Sequence, residues 1–128
     1  MEMFPDLNKF AFITRDGEFT WKREHALKAL EWLTRNNFAT LGWEAWIIEG
    51  DTIYGSIKTS RGSETHGYAG IVKDAGETWP DFVKRSSEEI SETLSNDRWP
   101  KDALAPESNL YFNLTYVNQG EYLSLYSR

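Results

Sequence analysis

The spacing of hydrophobic and polar residues predicts eight elements along the chain. Apolar residues at helical spacing indicate two helices, over residues 20–37 and 78–97. Runs rich in β-branched and aromatic residues indicate six strands. The predicted strands cover residues 10–14, 43–49, 52–59, 65–73, 110–117 and 121–128. The predicted order is therefore β-α-β-β-β-α-β-β.

Capping residues define the ends of both predicted helices. In the second helix, Thr78 is a typical N-cap and Asp81 stands three residues later, as in a capping box. Pro80 suits the first turn, where its missing N–H costs nothing. Apolar and small residues at helical spacing then predict one buried stripe, made of Trp79, Phe82, Val83, Ser86, Ile90 and Leu94. In the first helix, Thr20 is the expected N-cap and Asn36–Asn37 the end.

The turns between the strands determine the fold class. Gly50–Asp51 separates two strand patterns, as in a two-residue hairpin, and Asn118–Gly120 separates the last two. Neighbouring hairpins require antiparallel pairing, and two one-sided helices need a sheet to pack against. We therefore expect one α+β domain over residues 1–128, with a mostly antiparallel sheet of about five to six strands and two helices.

The composition excludes several kinds of site. The chain has 128 residues and no cysteine, so disulfides, thiolate nucleophiles and cysteine zinc sites are ruled out. The start, MEMFPDLNKF, has no basic segment followed by an apolar run, and no long apolar stretch follows. We expect a cytoplasmic protein that uses no membrane and no metal or other cofactor.

The charge is concentrated in one region. The net charge is −6, and residues 74–107 contain nine acidic residues against four basic ones. Nucleic acid is a poor partner for such a chain, because phosphate binding needs clustered lysine and arginine. A protein with a basic surface is a better one. The expected partner-binding residues follow the outer face of the second helix into the next loop: Glu88, Glu89, Glu92, Asp97, Trp99 and Asp102.

Two other classes of function stay open. His66, with Glu64 or Glu44, has the residue types of a small hydrolase or nuclease-like enzyme, although an exposed hairpin loop has the same composition. Glu88 and Glu89 point about 100° apart on a helix and cannot flank one glycosidic bond. The third class is a ligand-binding regulatory module. A deep aromatic pocket with His66 at its mouth would favour either alternative, and its expected lining is Trp43, Trp46, Tyr54 and Tyr68.

Two segments carry a resemblance to a known group of proteins. The stretches GWEAWIIEGDTIYGSIKT and ETWPDFVKRSSEEISETL lie in a short, acidic, tryptophan-rich chain without cysteine or catalytic motif. In this the chain resembles small immunity proteins of bacterial toxin systems, such as contact-dependent growth inhibition. The resemblance implies a non-enzymatic protein that binds and neutralises one cognate toxin domain, for example a nuclease with a basic cleft. It assigns no role to an individual residue.

Overall fold

The computed structural model describes residues 2–126. Over these residues the chain forms eight strands and three α-helices, with short 3₁₀ turns at Asn8–Phe10 and Glu107–Asn109. In chain order the elements are β1 Phe12–Ile13, β2 Phe19–Trp21, α1 Arg23–Arg35, β3 Ala39–Glu49, β4 Thr52–Tyr54, β5 Ile57–Thr59, β6 Gly62–Glu64, β7 Gly67–Tyr68, α2 Trp79–Asn96, β8 Leu110–Val117 and α3 Gln119–Tyr126.

Six strands form one antiparallel sheet, which confirms the predicted α+β class. The strand order is β1-β2-β8-β3-β4, and β7 also pairs with β3. β5 and β6 form a separate hairpin, held to the loop after α2 by a bond from the Leu104 N–H to the Lys58 carbonyl (2.9 Å). The prediction of two helices was wrong, because a third follows β8. Within residues 2–126, no helix has both the length and the apolarity to cross a bilayer.

The structure of α2 follows its sequence closely. The Thr78 hydroxyl accepts a hydrogen bond from the Asp81 N–H at 3.2 Å, as expected of an N-cap. Its buried residues are the six of the predicted stripe. This stripe packs beside α1 on one face of the sheet, where the Trp43 indole donates to the Thr93 hydroxyl (2.9 Å). The helices therefore cover one face of β3 and β8.

The start of α1 differs from the prediction. Thr20 is in β2, not at the helix N-cap, and its hydroxyl donates to the Phe12 carbonyl at 2.8 Å. Lys22 occupies the N-cap position without a side-chain capping bond. The cause is tertiary, because Thr20 pairs with Asn113 on β8, a strand 93 positions later. The helix ends at the predicted place, with Asn36 as its C-cap.

The two strands predicted after β3 are shorter than expected, whereas β3 itself begins at Ala39, four residues before the predicted start. The expected strand over residues 52–59 breaks at Gly55–Ser56 into β4 and β5, which belong to different sheets. The expected strand over residues 65–73 is reduced to Gly67–Tyr68. Here the chain crosses close to β3: a Cβ added at Gly42 would lie 2.5 Å from the Tyr68 carbonyl oxygen. Glycine therefore permits a backbone contact that any larger residue would obstruct.

The predicted last strand is a helix. Residues 121–126 belong to α3, and Ser127 and Arg128 lie outside the described residues. Asn118 and Glu121 form a reciprocal capping box, with side-chain to backbone distances of 2.8 and 2.9 Å. Tyr122 is buried against Trp79 and Phe82. The alternating pattern was misleading because only Tyr122 of this segment enters the core.

Candidate functional site

The outer face of α2 contains three of the predicted binding residues. Glu88 and Glu92 are exposed. Glu89 is partly covered, because its carboxylate accepts a hydrogen bond from the Tyr68 hydroxyl (3.1 Å) and lies 3.5 Å from Arg85. The bond to Glu89 raises the pKa of Tyr68. The structure therefore brings these three carboxylates together, but one of them is already used within the protein.

Arg85 neutralises the acidic residues beside this face. Its guanidinium makes a bidentate contact with Glu77, at 2.9 and 3.0 Å, and donates to the Val72 carbonyl at 2.7 Å. The Arg85 hydrogen bond, helped by the backbone N–H of Asp74, lowers the pKa of Glu77 to about 2. Arg85 therefore ties the loop before α2 to the helix.

Asp97 lies in a polar cluster inside the molecule rather than on its surface. Its carboxylate is 2.8 Å from His66 Nδ1 and 3.6 Å from the Arg23 guanidinium, and its side chain is only 14% exposed. His66 Nε2 lies 3.3 Å from Glu64. The distance from His66 Nδ1 to the Asp97 carboxylate is short, but the angle is not that of a hydrogen bond. The contact is a close polar pair. The cluster joins the start of α1, the end of α2 and the approach to β7.

Trp99 and Asp102 lie in the loop that follows α2. Trp99 is half-buried against the core. Asp102 accepts a hydrogen bond from Ser60 (2.7 Å) and lies 3.5 Å from Arg61. The Ser60 bond, with Arg61 nearby, lowers the pKa of Asp102. The surface depression beside Trp99 has a mixed charge, and its lining is Arg61, Glu64, Arg98, Trp99, Pro100, Lys101 and Asp102.

The predicted binding residues therefore have different electrostatic environments. Among residues 2–126, ion pairs engage Glu89, Asp97 and Asp102, and none includes Glu88 or Glu92. A carboxylate without a nearby base contributes its full charge to the outward field. Among the predicted binding residues, the carboxylates that form no such ion pair are the two in the middle of α2.

The four aromatic residues expected around one pocket do not line one. Trp43 and Trp46 are three positions apart on β3 and lie on opposite faces of the sheet. Trp43 is buried under α2, whereas Tyr54 borders a different depression beside Leu104. Tyr68 points its hydroxyl at α2. Trp43 and Tyr68 do line one depression, together with His66 and Glu44, but Trp46 and Tyr54 do not take part in it. Within residues 2–126 only this half of the pocket expected from the sequence is therefore present.

An aromatic surface that sequence reasoning missed lies on the sheet face opposite α1 and α2. We call it the open face and define it by two cross-strand rows. Register places Tyr111 beside Trp46 in one row and aligns four strands in the other. The second row consists of Phe12, Thr20, Asn113 and Glu44. The signal was present in WEAW and LYFN, because aromatic residues there occupy both alternating positions of a strand.

Comparisons with known proteins give no parallel for this arrangement. No protein-family model, no curated protein and no solved structure matches the chain. Within the described part of the chain, no group of three or more histidine, aspartate or glutamate side chains is placed to hold a metal ion. The surfaces of the protein are therefore the basis for its proposed function.

Proposed function

We propose that this protein is a cytoplasmic immunity protein, which binds and neutralises a cognate toxin domain with a basic surface. The observation that carries the proposal is the pair of exposed carboxylates on α2, Glu88 and Glu92, which form no ion pair within 4 Å among the described residues. They lie one helical turn apart, so both charges face the same direction. A basic cleft is the complementary surface.

Electrostatics supports a role for these residues in association. Complementary charge raises the rate of encounter, and the effect weakens as salt screens it over about 10 Å at 0.1 M. The Thr78 cap and the Arg85 contacts fix the start of α2 and the loop before it. The helix backbone that carries the two carboxylates therefore does not have to become ordered on binding, which avoids part of the entropy cost.

The immunity proposal predicts that a toxin domain is encoded immediately upstream of this gene, and the decisive experiment uses that domain. We expect the two proteins to purify together, and the double variant Glu88→Lys/Glu92→Lys to associate at least tenfold more slowly at low salt. The matched control is Glu2→Lys/Glu18→Lys, which changes the net charge equally but away from α2. Equal association rates for both variants would exclude α2 as the interface. No complex with the wild-type protein would remove the immunity proposal.

A small hydrolase is the second candidate, and one observation favours it. His66 Nδ1 lies 2.8 Å from the Asp97 carboxylate, which is close enough for a histidine–carboxylate pair, although the angle is not that of a hydrogen bond. In such a dyad the other ring nitrogen must reach the substrate, whereas His66 Nε2 faces Glu64 at 3.3 Å. Hydrolysis of ester or phosphodiester substrates that His66→Gln abolishes, with the fold retained, would favour the enzyme over the immunity protein.

A further inference from the structure

The open face is the concave side of a curled sheet. Phe12 on β1 and Ile53 on β4 both line one cavity of about 470 Å³. These strands are at opposite ends of the order β1-β2-β8-β3-β4, about 19 Å apart in a flat sheet. The edges must therefore curl towards each other on this side. Thr20 is fully buried and Ile48 is 6% exposed on the same side, which agrees with a cleft.

The open face already holds one cation of the protein itself. The Lys22 ammonium lies 4.4 Å from the centre of the Tyr111 ring. Burial lowers the pKa of Lys22, and the nearby Glu107 carboxylate opposes that shift. Lys22 therefore shows how an amine is accommodated here, over an aromatic ring and near an acid.

Trp46 and Glu44 repeat this combination on the neighbouring strand. The Trp46 indole N–H donates to the Glu44 carboxylate at 3.0 Å, which fixes an acid at the edge of the ring. Trp46 is paired with Tyr111 across the strands and is half-exposed. No lysine or arginine of the described residues lies over the Trp46 ring. This ring and acid can therefore receive a cation from another molecule.

The charges on and around the open face indicate which class of molecule supplies this cation. Four acidic residues and two basic residues lie on or beside the open face: Asp16, Glu44, Asp51 and Glu107, with Arg15 and Lys22. The net negative charge opposes contact with a second copy of the same face. It favours a polypeptide that carries arginine or lysine, since a guanidinium stacks well on tryptophan and pairs with carboxylate.

We propose that the open face binds a cationic polypeptide segment, with an arginine side chain placed over Trp46 and paired with Glu44. The identity of the natural partner rests on the proposed function, but the subsite can be tested without it. In the immunity role, this face would be a second contact with the toxin, separate from the outer face of α2.

The test is an NMR titration of the ¹⁵N-labelled protein with an arginine-rich octapeptide. The matched control peptide has citrulline in place of arginine, which keeps the shape and removes the charge. We expect shifts at the Trp46 indole N–H, Glu44 and Tyr111, with little change on α2. Two single variants, Trp46→Leu and Glu44→Gln, should each weaken binding of the arginine peptide by about two- to fivefold. The variant Glu88→Gln/Glu92→Gln is the control for general acidity.

Three results would overturn this inference. The arginine peptide could fail to bind at millimolar concentration, or the citrulline peptide could bind equally well. In the third case, the shifts would be confined to α2 and Glu88→Gln/Glu92→Gln would remove them. Glu44→Gln keeps the test valid even where Trp46→Leu perturbs the sheet, because Glu44 is exposed. A toxin complex that forms through α2 alone would contradict the open-face inference and still support the immunity proposal.

Discussion

Asp97→Asn tests whether the acidic loop residues stabilise the fold or face a partner. The substitution keeps the size of the side chain and removes the charge between Arg23 and His66. The side chain of Arg23 is 28% exposed, that of Asp97 14% and that of His66 13%. Water can therefore replace the lost carboxylate charge only poorly. Arg23 Nε and Nη2 are buried, and no hydrogen bond satisfies them among the described residues. Removing the nearby carboxylate leaves this guanidinium less compensated.

We expect Asp97→Asn to lower the free energy of unfolding by about 2 kcal/mol, somewhat less than the loss of one partner of a fully buried ion pair, because Arg23 is partly exposed. For a chain of 128 residues, this corresponds to a decrease in Tm of about 7 °C. The exposed Glu88→Gln is the matched control and should change stability by less than about 0.5 kcal/mol.

Calorimetry and urea unfolding, followed by tryptophan fluorescence, measure both variants. The difference should persist at 1 M salt, because a mostly buried ion pair is screened less than a surface pair. Equal melting temperatures for Asp97→Asn and Glu88→Gln would refute the assignment of Asp97 to the interior. Asp97 would then belong with the exposed acids of α2 as a residue available to a partner.

Three further outcomes test the local geometry. Gly42→Ala should cost about 1–3 kcal/mol in urea unfolding, because its Cβ would meet a backbone carbonyl at 2.5 Å. Gly55→Ala, which meets nothing within 4 Å, should cost far less. Glu77 has a folded pKa of about 2, below its usual 4.5, so its contribution is present above pH 4.5 and is lost as the pH falls towards 2. Glu77→Gln should therefore flatten the stability profile in that window, and an unchanged slope would contradict the Arg85 pairing. Asn118→Ala should lower the free energy of unfolding by about 1 kcal/mol and lower the helicity measured by circular dichroism. Unchanged stability and helicity would show that the capping box is dispensable.

The two candidate surfaces differ in what they offer a partner. The outer face of α2 is a helix surface with two uncompensated charges, which favours rapid encounter. The open face is a curled sheet with half-exposed Trp46 and Tyr111, the residue types that dominate binding energy at interfaces. A toxin that uses both would gain its association rate from the first and its residence time from the second.

Local chemistry explains why the sequence predicted α2 and the β3–β4 hairpin. The Thr78 cap, the Pro80 start and the 3.6-residue stripe all depend on residues within one helix. The turn at Gly50 likewise depends on neighbouring residues, and Gly50 has the positive φ of +60° that its turn needs. The α3 cap was equally local, but the alternation of residues 121–126 obscured the Asn118-x-x-Glu121 signal.

The sequence by itself determined the α+β class, the stripe that α2 buries and the region where acid exceeds base, because each follows from short-range pattern or composition. Only the tertiary structure decided what the charges and rings do. It placed Asp97 beside His66 and Arg23, and it aligned Trp46 with Tyr111 on the open face. These contacts join residues far apart in the chain, and no local spacing encodes such distances. The physical reason is that burial and strand register, rather than residue type, determine whether a carboxylate is paired internally or free to meet a partner.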